Sequence, residues 1–489
     1  MSLEEQFNYI FNPRSVAVVG ASNTFGSWGN RIMNRLLTTS PQRKIYPVNN
    51  KESEVLGLPV YKSLAEIPDS VDFVVIAISA PQVPKVMQEC VEKGVKAAII
   101  ISGGLAESGE EGERIEAEVI KIARRGGIRF IGPNTMGHMD TSSRFSTLAW
   151  LEEVKPGPVA FISQSGTYGQ RVVRTGVQGG VGFSKFISSG NEADLHLEDY
   201  LEYLAQDEGT QIITAYIEGL REGRRFLELA KGITPKKPVI VMKTGGTKRA
   251  AKAAKSHTAA LAGSEEIYDA MFRQSGVIRV EDEIELFDVT LALHSLPLPR
   301  GRRVGILTEG GGIGVVATEW CERVGLEVPL LSLATIQELR GFLPPRCAVA
   351  NPVDMTDMIT ARKLVTFSCF ETMIKDEKVD SLMVLGGVGA AQYFRELGVA
   401  TASASQEIPL EWLQSLREEE IKGFDLIKRQ VSYYQKPVVW VKLMPEAMAE
   451  PESFKLLRDR GIPVYPNPER AAKVLCHLAR YREYLSSRG

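Results

Sequence analysis

The sequence predicts an α/β protein of three doubly wound parallel-sheet domains in tandem. Three openings of one kind carry that expectation: "SVAVVGASNTFG" from Ser15, "PVAFISQSGTYG" from Pro158 and "RVGILTEGGGIG" from Arg303. Each is a short run of β-branched and apolar residues, then a Gly/Ser-rich turn, then residues of helical periodicity. The intervals between the openings are nearly equal, as expected of a repeated unit that begins with its own strand, loop and helix. A chain of 489 residues accommodates about three domains at roughly 100–200 residues each.

Proline and glycine concentrate ahead of the second and third openings, in "EEVKPGPVA" (Glu152 to Ala160) and "SLPLPRGRRVG" (Ser295 to Gly305). Those linkers divide the chain into residues 1–150, 151–298 and 299–489. Within the first division the apolar runs "KIYPVN", "DFVVIAIS", "KAAIIIS" and "IRFIGPN" alternate with helical stretches such as "APQVPKVMQECVEKG". Alternation of this kind means a parallel sheet, with ligands at the carboxyl ends of its strands. Small and polar residues occupy those ends: Gly20, Ala21 and Ser22, then Asn49, Ser79, Ser102, Gly103 and, in "GPN", Asn134. The first loop departs from the dinucleotide pattern, because the next glycine after Gly20 is Gly26 and "KIYPVNN" ends in asparagines where an acidic ribose ligand is expected. A nicotinamide is disfavoured. A different phosphate-bearing ligand fits a helix that starts after a glycine turn. The plainer alternative, glycines that merely permit a tight turn, weakens as permissive strand ends accumulate in one domain.

Composition narrows the function classes. Lys plus Arg is 58 against 60 for Asp plus Glu, a formal charge of -2, with no long basic tract to bind nucleic acid. Five scattered cysteines without a CxxC pair argue against a disulfide framework and a zinc site, and for a reducing compartment. No metal-ligand set is expected. The N-terminus "MSLEEQFNYIF" lacks a cationic leader, and no apolar run approaches the roughly 18 residues of a spanning helix. A cytoplasmic protein with no membrane partner is expected.

One stretch stands apart. "KTGGTKRAAKAAKSHTAALAGS", Lys243 to Ser264, places His257, one of five histidines, between lysine-rich and small-residue runs. Composition alone fits an Ala/Lys-rich surface helix. Flanking glycines at 245, 246 and 263, the hydroxyls of Ser256 and Thr258, and the upstream cations Lys248, Arg249, Lys252 and Lys255 suit an anion instead. A neutral imidazole, with an ordinary pKa of about 6.5, is a good nucleophile at cellular pH. One ring nitrogen must attack while an acceptor, normally a carboxylate, holds the other. Glu218, which closes the strand-like run in "IITAYIEGLREG" just before a glycine, offers that carboxylate, although an ordinary solvated strand-end acid would look the same.

The segment "SHTAALAGS" resembles the phosphohistidine segment of the NDP-forming acyl-CoA synthetases, the superfamily that includes succinyl-CoA synthetase, and within it the α subunits of ADP-forming acetyl-CoA synthetases. The likeness covers essentially the whole chain and keeps order: "GAS", "PVN", "ISGG" and "GPN" in the first domain; "ISQSGT", "SSGNEADL", "YIEG" and the histidine segment in the second; "TEGGGIGV" and "NPVDMTD" in the third. It implies a CoA-binding Rossmann-like domain followed by two flavodoxin-like domains, the last a ligase-CoA domain. The implied reaction is acyl-CoA + ADP + phosphate ⇌ acid + ATP + CoA, with a phosphoryl group relayed through His257 and stabilised by Glu218. Carried over position by position, Gly20, Ala21, Ser22, Asn49, Ser79, Ser102, Gly103 and Asn134 fall where the family contacts CoA. Ser163, Gln164, Ser165, Gly166, Gly190 and Asn191 resemble the loops that hold phosphate beside the histidine.

The chain departs from the family pattern at Thr135, where "GPNC" is frequent, and at Ala259, where "SHTG" is frequent. A lost glycine restricts the backbone at one point of the histidine loop. No P-loop GxxxxGK[ST] and no ATP-grasp segment can be matched. The resemblance therefore implies that ADP or ATP with Mg²⁺ sits on a separate ATP-grasp β subunit, in an α2β2 or larger assembly. Gly245, Gly246 and Gly263 are then the expected hinges of a histidine segment that reaches the partner. The acid itself is left open. The alternative is a non-catalytic CoA or acyl-CoA binding protein that kept the fold without the chemistry.

Overall fold

Strand Ser15–Val19 (β1) is buried along its whole length, and its residues alternate between two cores. Val16 and Val18 face one core while Ala17 and Val19 face the other, the two-residue period of a strand covered on both sides. Phe73–Ile76 (β5) and Ala97–Ile100 (β6) repeat the pattern. With Lys44–Val48 (β2) and Arg129–Ile131 (β7) they form a parallel five-stranded sheet in the order β2-β1-β5-β6-β7. A short hairpin, Glu54–Val55 (β3) with Leu58–Pro59 (β4), lies between β2 and β5 in sequence. The structure, a computed structural model, describes residues 2–150, 153–246, 249, 264–356, 365–389, 410–443, 450 and 452–488.

The second sheet runs β14-β13-β12-β10-β11-β8-β9. Its parallel part comprises Pro156–Ser163 (β10), Phe183–Ser188 (β11), Ile212–Ile217 (β12), Val239–Lys243 (β13) and Ile278–Val280 (β14). His138–Asp140 (β8) and Phe145–Ser146 (β9) add an antiparallel edge. That hairpin precedes the proline-rich linker at Glu152 in sequence yet pairs with the second sheet, through a long-range contact with β11 that no local signal announces. Residues 1–287 form one compact unit, and one apolar core runs through both of its sheets, from Val16 and Phe73 to Ala160 and Ile213.

Residues 288–489 form a second compact unit. Val304–Thr308 (β15), Val353–Asp354 (β16), Ser381–Leu385 (β17), Val438–Val441 (β18) and Val464–Tyr465 (β19) make a parallel sheet in the order β16-β15-β17-β18-β19. In sequence rank, the parallel parts of all three sheets share the doubly wound order 2-1-3-4-5, so each winds outward in both directions from its opening strand. The α/β class with doubly wound parallel sheets is as the three openings predict. Among the described residues no helix is long and apolar enough to cross a membrane, and all five cysteines are buried and unpaired.

The β8 strand carries a fully buried histidine. His138 Nε2 donates to Ile10 O at 2.8 Å and Nδ1 accepts from Thr147 Oγ1 at 3.0 Å, a pairing that suits the neutral ring. Burial pushes its pKa down to about 4. The unfolded chain, with an ordinary imidazole, binds the extra proton first, so stability falls as pH drops from about 6.5 towards 4. Urea unfolding should show a loss of about 2 kcal/mol between pH 7 and pH 5 from this group alone, and His138→Phe should shrink that pH dependence.

Candidate active site

A doubly wound sheet opens a crevice where its strands diverge, at the carboxyl ends of the first and third strands in sequence rank. In the first sheet that point lies between β1 and β5. Gly20 adopts φ +94°, and a Cβ there would stand 2.2 Å from Ala77 O, so only glycine fits the turn. Asn49 Nδ2 donates to Ala21 O at 2.7 Å and ties the end of β2 to the same loop. Ser102 Oγ accepts from Ile78 N at 3.2 Å, and Ser102 O accepts from Asn134 N at 2.9 Å. Asn134 follows a cis Gly132–Pro133 bond and has φ +58°.

In the second sheet the divergence lies between β10 and β12. Ser163 is buried, Ser165 Oγ accepts from Tyr168 N at 3.4 Å, and the helix Gly166–Gln178 starts there with its amide groups towards the crevice. The loop after β11 reaches across to the first sheet. Gly190 has φ +63°, with Pro133 O 2.2 Å from where a Cβ would stand. Asn191 N donates to Pro133 O at 2.9 Å, and Asn191 Nδ2 donates to Glu107 Oε2 at 2.5 Å. Glu107 Oε1 in turn accepts from Gly104 N at 2.6 Å.

The two divergence points therefore share one cleft of about 530 Å³. It gathers Ser79, Ser102, Gly103 and Asn134 from the first sheet with Gln164, Ser165, Gly166, Gly190, Asn191 and Glu218 from the second. Gly20, Ala21, Ser22, Asn49 and Ser163 stand outside its lining and shape the loops behind it. Trp28 and Met136 line it as well, two apolar residues that no motif had marked. Their signal is weak, since a tryptophan after a glycine loop and a methionine after "GPNT" have no fixed chemistry. Among the described lining residues Glu218 is the charged side chain.

Glu218 stands at the end of β12 in a chain of hydroxyls. Tyr216 OH donates to Glu218 Oε1 at 3.4 Å, and Thr244 Oγ1 donates to Tyr216 OH at 3.0 Å. Thr244 N also donates to Ile217 O at 3.0 Å. The histidine stretch thus leaves β13 directly beside Glu218. Gly245 follows with φ +84°, and a Cβ on Gly246 would overlap Glu265. His257 itself lies outside the described residues, with Lys248, Lys252, Lys255, Ser256, Thr258, Ala259 and Gly263. Gln164 lines the cleft, but its side-chain amide is occupied: Oε1 accepts from Glu218 N at 2.6 Å and Gly219 N at 3.1 Å, and Nε2 donates to Gly219 O at 2.8 Å. Thr135 is likewise occupied, its Oγ1 donating to Ser188 O and accepting from Gly137 N at 3.2 Å.

Residues 14–141 match a family described as a CoA binding domain, and residues 156–293 match a succinyl-CoA ligase like flavodoxin domain. The chain is 40% identical to the α subunit of acetate–CoA ligase [ADP-forming] I from Pyrococcus furiosus, over 99% of this chain and 98% of that protein. The chain belongs to the ADP-forming acetate–CoA ligase family. Within it the chain is an α subunit and an acid–CoA ligase. A further member, 4-hydroxybutyrate–CoA ligase [ADP-forming] from Nitrosopumilus maritimus, is 31% identical over 98% of this chain, which spans 64% of that longer protein. Among solved structures, the acetyl-coenzyme A synthetase 1 of Ca. Korarchaeum cryptofilum in complex with phosphate and ADP superposes with a TM-score of 0.82 at 32% identity, covering 99% of this chain and 98% of that one.

The ligase cleft depends on the close approach at Gly190. Gly190→Ala should cost about 2 kcal/mol or more in urea unfolding, because it combines a disfavoured φ with a clash against Pro133 O. Gly223→Ala, at a helix start with open space around it, serves as the control and should be close to neutral.

Proposed function

We propose that this α subunit interconverts acyl-CoA, ADP and phosphate with acid, ATP and CoA through an acyl phosphate and a phosphohistidine on His257. The single observation that carries the reading is the shared cleft, which sets Glu218 and a helix N-terminus opposite the strand ends expected to hold CoA. In the first step a phosphate oxygen attacks the thioester carbonyl, the C–S bond breaks, and CoA leaves as thiolate. In the second, an imidazole nitrogen of His257 attacks phosphorus and the acid departs as carboxylate. In the third, the P–N bond breaks as a terminal oxygen of ADP takes the phosphoryl group.

The residues divide this work by position. Ser79, Ser102, Gly103 and Asn134 face the cleft from the first sheet, where the thioester end of CoA would lie, and Gly20, Ala21, Ser22 and Asn49 shape the loops behind them. Backbone N–H groups at Ser165, Gly166 and Gly190 suit phosphate, with the Asn191 N–H spent on Pro133 O beside them, since the start of a helix carries roughly half a positive charge. Ser163 and Gln164 hold that loop and the Glu218 turn. Glu218 would accept from the second ring nitrogen of His257, fixing the tautomer and balancing the imidazolium character of the phosphorylated ring.

The nucleotide and its Mg²⁺ belong on a separate ATP-grasp β subunit, in an α2β2 or larger assembly, and the site of action is the cytoplasm. What supports a partner is the α-subunit name of the Pyrococcus relative and the greater length of the Nitrosopumilus one. The acid is a small carboxylic acid that fits beside Trp28 and Met136.

Incubation with labelled phosphate and a panel of acyl-CoAs should place acid-labile, base-stable label on His257. His257→Ala should abolish it, and Glu218→Gln should lower it about a hundredfold while CoA still binds. CoA binding with no label under any acyl-CoA would sink the relay and leave a CoA-binding protein.

A further inference from the structure

Two buried polar side chains stand next to the Glu218 turn: Gln164, which also lines the cleft, and Glu192, to which the relay assigns no part. Gln164 is 6% exposed and Glu192 is 2% exposed. Besides its three bonds to the Glu218–Gly219 turn, the Gln164 amide donates through Nε2 to Glu192 Oε2 at 3.1 Å. Both lone pairs of its oxygen and both hydrogens of its nitrogen are thereby matched. The turn presents two N–H groups to Oε1 and one carbonyl to Nε2. An amide turned over by 180° would set its own N–H groups against the turn's N–H groups.

Glu192 completes the arrangement from the other side. Its Oε1 accepts from Ser189 Oγ at 2.7 Å, and its backbone is held at φ +53°. The charged and titratable groups that face it are Glu198 and Tyr200 on the helix Leu197–Gln206, and Arg221 in the loop after β12. Arg221 Nη2 donates to Asn191 O at 2.7 Å. An ionised carboxylate only accepts hydrogen bonds, whereas a neutral amide or acid at this place can present a donor or an acceptor.

We propose that Glu192 and Gln164 form a positioning pair for Glu218: Glu192 anchors the Gln164 amide in the orientation that the turn requires, and the amide fixes the turn from which Glu218 enters the cleft. This inference rests on the relay reading above. Burial, with Glu198 adding to it, pushes the Glu192 carboxyl up to about 7. The folded chain then holds a proton that the unfolded chain, with an ordinary carboxyl near 4.3, has already released. Stability contributed at low pH is lost as pH rises through that window to about 7. At pH 8 the ionised Glu192 is thus a burden to the fold, as expected of a group kept for positioning.

The test uses the full chain at pH 8 with radiolabelled phosphate and the same panel of acyl-CoAs. Label on His257 is followed over time beside a CoA titration and a thermal melt. Glu192→Gln should slow phosphoenzyme formation by roughly tenfold or more, leave CoA affinity within about twofold, and leave Tm equal or higher. Gln164→Leu, which removes the amide and keeps its volume, should slow the same step with CoA affinity again unchanged. Wild-type rates in both variants would overturn the pair alone. So would a slowing that comes with weaker CoA binding and a lower Tm at pH 8 in both, since that marks a purely structural role. Absence of label in the unaltered chain would instead overturn the relay, and the pair with it.

Discussion

The cleft exists because two backbones meet at Gly190 and Pro133 with no side chain between them. Asn191, Ala193 and Leu195 then donate in turn to Pro133, Gly132 and Phe130, so the loop after β11 runs bonded along the end of β7. Each sheet alone would offer a shallow crevice at its own divergence point. Stitched together, they oppose a set of strand ends suited to an extended thiol ester with a helix start suited to phosphate. In the proposed relay, holding both in one cavity would remove most of the entropic cost of encounter.

Electrostatics in this unit follow a division of labour. Deep charges are paired or neutral: Lys185, 3% exposed, donates to Asp207 Oδ1 at 2.8 Å and lies 3.5 Å from Asp140, while His138 is held neutral by burial. Glu192 departs from that economy, because its neighbourhood raises the cost of ionisation and offers two donors to offset it. At the cleft, Glu218 sets a carboxylate beside the loops proposed to hold phosphate. The backbone amides of the helix Gly166–Gln178 oppose that repulsion, and an imidazole between carboxylate and phosphate would separate the two negative groups.

The second unit repeats the winding of the other two sheets with different contents at its strand ends. Glu309 Oε2 accepts from Gly387 N at 2.7 Å, and Trp440 Nε1 donates to Gly386 O at 2.7 Å, so the "TEGG" loop after β15 is locked to the glycine turn after β17. The same topology thus carries different residues and contacts at corresponding strand ends, and fold alone does not decide what they do.

What the sequence determined by itself is local. Apolar runs long enough for one strand, glycine turns after them and helical periodicity beyond them specify the α/β class and its three openings, because each depends on neighbours in the chain. The identity of the residues at the strand ends was legible for the same reason: a strand ends where its apolar run ends. Tertiary structure decided which of those ends meet. It placed Ser102, Asn134 and Glu218 on one cleft, left Gly20 and Asn49 behind it, attached the His138–Ser146 strands to the second sheet, and turned Gln164 and Glu192 inward towards the Glu218 turn. Those outcomes rest on contacts between residues dozens of positions apart, whose burial and hydrogen bonding arise only when the sheets pack.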